Sequence, residues 1–136
     1  MGYITKSIKM KYTADKKEQY VIIKLNEEKL DTSIAPELKS EFVTLQAEGF
    51  HHVIMNLAEV KYSDSSGLSA LLVGNRLFGE NGSFILCNVQ EHVSKLINIS
   101  QLDKVMDILP TEEEAVDAVL LNDIEKNLKE EGGDEE

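Results

Sequence analysis

Ser63-Asp64-Ser65-Ser66-Gly67-Leu68 is the stretch whose residue types and spacing could carry chemistry. Hydroxyls, a carboxylate and a glycine stand between an apolar run and Leu68, Leu71 and Leu72, which have helical spacing. A serine at a helix start has a structural use: its oxygen caps free backbone N–H groups while a neighbouring glycine permits a tight turn. For an isolated Asp-Ser-Ser-Gly this is the commoner use. The chemical use is phosphorylation. A phosphate on Ser66 adds about −1.5 to −2 charges at the helix start. The dipole and free amides there tolerate it, whereas Asp64 repels it. Such a dianion, with its hydration shell, would sit in the middle of a docking surface without unfolding anything.

Ser66 lacks the company a hydrolase nucleophile needs, a nearby base and an oriented third group. The histidines are His51, His52 and His92. His51 and His52 open the strand before the serine loop, at the opposite end of any sheet, while His92 follows the next strand and could come near. The Gly-x-Ser-x-Gly elbow is absent. Glu112-Glu113-Glu114 shows no metal-ligand spacing and reads as a solvated helix start, and the EF-hand pattern is missing. Gly79-Glu80-Asn81-Gly82 lacks the lysine of a phosphate loop and reads as a turn. Cys87, the sole cysteine, reads as a small buried apolar residue and excludes a thiolate metal cluster. We therefore expect no catalytic residues, no metal and no cofactor.

These residues need elements to position them. Ile4, Ile8 and Met10 suggest a strand over 4–11, followed by a charged turn over 13–19. Tyr20-Val21-Ile22-Ile23-Lys24-Leu25 is a clear strand signal, and the pair predicts a hairpin. Asp31-Thr32-Ser33 are helix N-cap types with Pro36 in the first turn. Ile34, Leu38, Phe42 and Leu45 mark one helix face, and Gly49 marks its end. His52-Val53-Ile54-Met55-Asn56-Leu57 and Phe84-Ile85-Leu86-Cys87 read as strands buried on both faces. Val93, Leu96 and Ile97 indicate a short helix over 90–97, and Val105 to Leu109 an edge strand. Thr111-Glu112-Glu113-Glu114 has the form of a capping box opening a last helix through Val116, Val119 and Leu120. Strand–helix–strand alternation implies parallel central pairing. The predicted fold is α/β: a mixed sheet of four to five strands with about four helices, packed mainly on one face.

The chain has 136 residues and a net charge of −11, the size of one domain. Arg76 is the only arginine and there is no Trp, so phosphate recognition and base stacking are poorly supplied. Direct nucleic-acid binding and attachment to anionic membrane are not expected. No run approaches the ~20 apolar residues of a membrane span or forms a signal peptide. The expectation is a cytoplasmic protein, with a domain over 1–121 and an acidic tail over 122–136 that lacks order. A monomer is the default.

At Asp64-Ser65-Ser66-Gly67-Leu68 the chain resembles a STAS domain, specifically the bacterial anti-sigma factor antagonists. Leu30-Asp31-Thr32, Val53 to Leu57, Gly82 to Leu86, Val93-Ser94-Lys95-Leu96 and Ile99 to Leu102 extend the resemblance over about residues 4–120. It departs at Asn26-Glu27-Glu28-Lys29, where the segment before Leu30 is longer, and in the acidic tail. The resemblance implies partner switching. The unphosphorylated antagonist binds an anti-sigma factor that is also a serine kinase and thereby frees a sigma factor. Phosphorylation of the serine before the motif glycine, here Ser66, ends the complex, and a PP2C-type phosphatase restores it. Asp64, Ser65, Gly67 and Leu68 would shape the loop, with Asp31, Thr32 and Ser33 beside it. ATP and magnesium would belong to the kinase, and this chain would be ligand and substrate rather than enzyme. The alternative within the resemblance is a scaffold subunit of a signalling or membrane transport complex that does not switch.

Overall fold

The computed structural model describes residues 10–132. In chain order the elements are strands β1 (Tyr12–Lys16), β2 (Val21–Leu25) and β3 (Lys29–Leu30), helix α1 (Ala35–Ala47), strands β4 (His52–Asn56) and β5 (Tyr62–Ser63), and helix α2 (Ser65–Phe78). Strand β6 (Ser83–Cys87), helix α3 (Glu91–Ile99), a 3-10 turn at Leu102–Lys104, strand β7 (Asp107–Leu109) and helix α4 (Glu112–Gly132) complete the fold.

The main sheet has five strands in the order β1-β2-β4-β6-β7. The β1–β2 pair is antiparallel and every other neighbour is parallel, so the sheet is mixed, as expected. Its central strands are near-continuous in apolar residues because both faces are covered. Val21, Ile23, Leu25, Val53, Met55, Phe84 and Leu86 enter the larger core with residues of α1, α2 and α3. Ile22, Ile54, Ile85 and Cys87 meet Ala115 and Val119 of α4 on the other face. Three helices thus lie on one face and one on the other. Burying each of these large aliphatic or aromatic side chains contributes about 1.5–3 kcal/mol.

Three local expectations are corrected. The first strand lies at Tyr12–Lys16, inside the stretch read as a turn; of the strand expected over 4–11, residues 4–9 fall outside the described residues. Tyr12 and Ala14 pack against the core while Thr13, Asp15 and Lys16 stay exposed, so the charged, exposed end of an edge strand masked its pattern. Asp31, Thr32 and Ser33 do not cap α1. Its N-cap is Ile34, without a side-chain bond, and the Asp31 side chain instead closes a turn with Ser33. Finally, residue 122 falls inside α4, which stays helical through Gly132, while residues 133–136 of the expected tail lie outside the described residues. The start of α4 matches the capping-box reading in one half, since the Glu114 N–H donates to Thr111 Oγ1 at 3.1 Å.

Candidate functional site

Two short parallel strands build the rim that carries the serine motif. β3 and β5 pair through Lys29 with Tyr62 and Leu30 with Ser63. Each is two residues long, too short for any periodicity signal. The Lys61 and Tyr62 N–H groups donate to the Glu28 carbonyl at 2.8 and 3.0 Å, and the Asp64 N–H donates to the Leu30 carbonyl at 3.3 Å. This pairing sets the turn before α1 against the first turn of α2.

Asp64 is the N-cap of α2. Its Oδ1 accepts the Gly67 N–H at 3.0 Å, which satisfies one of the helix's free donors. The capping role therefore falls to Asp64, not to Ser66. Ser66 sits one position into the helix, partly exposed, and its Oγ lies 3.2 Å from Thr32 Oγ1, which donates to it. The Thr32 hydroxyl is also 3.5 Å from Asp64 Oδ2. Asp31 accepts from the Ser33 hydroxyl at 2.7 Å and the Ser33 N–H at 3.0 Å. Those two bonds, side chain first, hold its carboxyl below the usual carboxylate range.

Of the residues singled out in the sequence, Thr32, Asp64 and Ser66 share one hydrogen-bonded group, with Ser65 exposed beside it and Asp31 and Ser33 bonded to each other on the adjoining turn. Gly67 and Leu68 are buried beneath. A Cβ at Gly67 would stand 2.2 Å from the Leu30 carbonyl oxygen, so the glycine permits the close approach of α2 to β3. His92 makes no hydrogen bond to Ser66 among the described residues. Its ring stacks on Tyr62 with centroids 5.5 Å apart.

Sequence reasoning missed Lys39. An open groove of about 290 Å³ runs beside Ser66, lined by Thr32, Ala35, Pro36, Lys39, Ser65 and Ser69. A lone lysine on a helix gives no signal in sequence, since only the packing of α1 on α2 brings it to this groove. Among the described residues no group of His, Cys, Asp and Glu side chains is arranged to hold a metal. No helix among them is long and apolar enough to cross a membrane.

The family model for the STAS domain matches residues 11–115. An anti-sigma-B factor antagonist of Staphylococcus epidermidis is 32% identical over 80 residues, which span 58% of this chain and 74% of that protein. The crystal structure of an anti-sigma factor antagonist from Mycobacterium paratuberculosis matches with a TM-score of 0.73 over 82% of this chain and 94% of that one. At 20% identity that likeness concerns the fold alone. The Bacillus cell fate determinant SpoIIAA in its phosphorylated form is 27% identical, with a TM-score of 0.63 over 80% of this chain and 99% of that one. The family match ends at residue 115, so most of α4 lies beyond it. The homologues are thus anti-sigma factor antagonists, and the span matched together with the five-stranded mixed sheet shows that this chain belongs to the STAS domain family.

Proposed function

We propose that this chain is a cytoplasmic anti-sigma factor antagonist, not an enzyme, and that phosphorylation of Ser66 switches its binding off. The docking rim comprises Asp31, Thr32, Ser33, Asp64, Ser65, Ser66, Gly67 and Leu68. The partner is an anti-sigma factor that is also a serine kinase, and sequestering it releases a sigma factor. The observation that carries this reading is the division of labour in the first turn of α2. Asp64 already caps the helix, so the structural reason for a serine at position 66 is removed and its hydroxyl is left on the rim. SpoIIAA, a relative known in a phosphorylated form, supports the same reading.

In the forward step the Ser66 Oγ attacks the γ-phosphorus of ATP held by the kinase. The Oγ–P bond forms, the bond to ADP breaks, and the hydroxyl proton leaves to a base of the kinase. The new dianion weakens docking by charge and by hydration. A PP2C-type phosphatase reverses the modification by hydrolysis. No nucleic acid or membrane takes part, and the chain acts as a monomer.

The test is incubation of the purified chain with ATP and a soluble extract of its own source cells, followed by peptide mass spectrometry. The expected result is one phosphate, on Ser66. The kinase captured by Ser66→Ala should then bind Ser66→Asp about 100-fold more weakly, equivalent to about 2.7 kcal/mol. An unmodified Ser66 in an extract that phosphorylates a control substrate, or equal affinities of the two variants, sinks the switch and leaves a scaffold that does not switch.

A further inference from the structure

A phosphate on Ser66 has two sides to turn to. On one side stand carboxylates: Asp64, two residues before it and, like it, within reach of the Thr32 hydroxyl, and Asp31, whose carboxyl is held ionised by its bonds to Ser33. On the other side lies the groove between α1 and α2. Its walls are Ala35 and Pro36, the hydroxyls of Ser65 and Ser69, and the side chain of Lys39. Pro36 presents no N–H, and Ala35 presents no polar side chain. Lys39 is therefore the one cation lining that groove.

Lys39 is also free to act. Lys16, Lys17, Lys61 and Lys95 are each paired with a carboxylate. Among the described residues Lys39 makes no such pair. The acids of its own helix are engaged elsewhere: Glu37 accepts the Met10 N–H at 2.7 Å, and Glu41 bonds Tyr12. Lys29 acts on the Asp31 carboxylate and does not line the groove. A dianion at Ser66 is thus repelled from the Asp31–Asp64 side and attracted across the groove.

We propose that Lys39 is the counter-ion of the Ser66 phosphate, drawing it over the α1–α2 groove and away from Asp64. This rests on the reading of Ser66 as phosphoacceptor, and it assigns to α1 a part in the modified state that the unmodified state does not use. The phosphate then covers the groove wall formed by Ala35 and Pro36. Loss of docking follows from covering that wall as well as from charge.

The experiment bypasses the kinase. Phosphoserine is installed at position 66 during translation, and the second ionisation of its phosphate is followed by 31P NMR. An opposite charge nearby favours the dianion and lowers the titration midpoint. Lys39→Gln should raise the midpoint by about half a pH unit, the size of an exposed ion pair. Lys39→Arg should hold it near the parent value, and 1 M salt should shrink the difference between parent and Lys39→Gln. Lys95→Gln, on α3, should leave it in place. A midpoint unmoved by Lys39→Gln, or moved as far by Lys95→Gln, overturns the assignment. Because the phosphate is supplied synthetically, that result is separate from the extract assay. A shift by Lys39→Gln beside an unmodified natural Ser66 would keep the ion pair and reject the switch.

Discussion

The two ends of the main sheet use the same kinds of side chain to opposite effect. At the end where β4 leads into the motif, the Thr32 hydroxyl stands within hydrogen-bond distance of both Ser66 and Asp64, and none of the three is buried. At the other end, Ser83 and His52 are buried beneath the second half of α4. There Asn122 Nδ2 donates to Ser83 Oγ at 2.7 Å, Lys126 Nζ donates to the Asn81 carbonyl at 2.9 Å, and His52 Nε2 lies 3.5 Å from Asp123 Oδ1. Serine at one end is presented; serine at the other is fastened. Burial, not residue type, separates a surface that can be modified from a clamp that cannot. A serine taken out of contact with water cannot reach a kinase, and a polar group left buried without a partner costs about 1–3 kcal/mol.

The largest expected effects come from the glycine at each end. A Cβ at Gly82 would stand 1.7 Å from the His51 carbonyl oxygen, and one at Gly67 2.2 Å from that of Leu30. In both places the obstacle is backbone, which cannot swing aside. Gly82→Ala and Gly67→Ala should each cost about 3 kcal/mol, at the upper end for single substitutions, read as shifted urea midpoints. Their effects on the motif should differ. Folded Gly82→Ala should keep the parental rate of Ser66 phosphorylation in cell extract, while Gly67→Ala should slow it because the Leu30–Ser63 pairing beneath the motif is pushed apart. Equal slowing in both would mean that the two ends are coupled through the sheet.

The pH dependence belongs to the clamp. His52 has its pKa lowered from the ordinary 6.5, chiefly by burial, which outweighs the opposing pull of Asp123. Its Nδ1 is buried without a hydrogen-bond partner among the described residues. A histidine held neutral in the folded state takes up its proton more readily in the unfolded chain. This contribution to stability is therefore complete above pH 6.5 and is lost as the pH falls below that value. Melting curves between pH 7.5 and 5.5 should show a drop that His52→Gln reduces. Asp123→Asn removes the attraction that favours the charged ring, so it should move the His52 titration still lower in an NMR experiment. An unmoved titration would place the Asp123 carboxylate out of reach of the ring.

The same contrast explains what was legible in the sequence. β2, β4 and β6 were plain because Val21-Ile22-Ile23, Val53-Ile54-Met55 and Phe84-Ile85-Leu86 are buried on both faces. β1 was hidden by its exposed, charged end, Asp15 and Lys16. The second half of α4 was hidden for a different reason. Asn122, Asp123 and Lys126, all polar, fasten it, while its large apolar residues Ile124 and Leu128 remain exposed. Hydrophobic periodicity cannot see a helix held that way. At the motif, Asp64 and Ser66 stood out through residue type and spacing. That Asp31, Thr32 and Ser33 stand beside the motif was implied by the family resemblance, while the β3–β5 pairing that brings the two segments together was not legible. Lys39 could not be read, because its neighbourhood exists only once α1 and α2 have packed.

Single hydrogen bonds give smaller effects, and here the ends differ again. Asn122→Ala should cost about 1 kcal/mol, since it strips the buried Ser83 hydroxyl of its donor, and amide exchange over 122–132 should quicken as that half of α4 opens more often. Asp64→Ala should cost about 1 kcal/mol through the lost cap, with the helix start rather than its end exchanging faster.

Thr32→Val is the smallest change in stability and the sharpest question. The hydroxyl is exposed and donates to Ser66 at 3.2 Å, with Asp64 at 3.5 Å competing for the same hydrogen. Asp64 keeps its cap through the other carboxylate oxygen, so the melting temperature should barely move, within the roughly 0.5 kcal/mol of ordinary surface substitutions. What changes is the acceptor. A hydrogen bond donated to Ser66 Oγ engages one of its two lone pairs and draws electron density from the oxygen, which makes it a weaker nucleophile. Removing an exposed bond of about 0.5 kcal/mol frees that lone pair and should raise the extract-catalysed phosphorylation rate about twofold. A several-fold fall at unchanged stability would reverse the assignment. Thr32 would then aim the Ser66 hydroxyl toward the kinase, and the exposed end of the sheet would be held in a fixed geometry as firmly as the buried one.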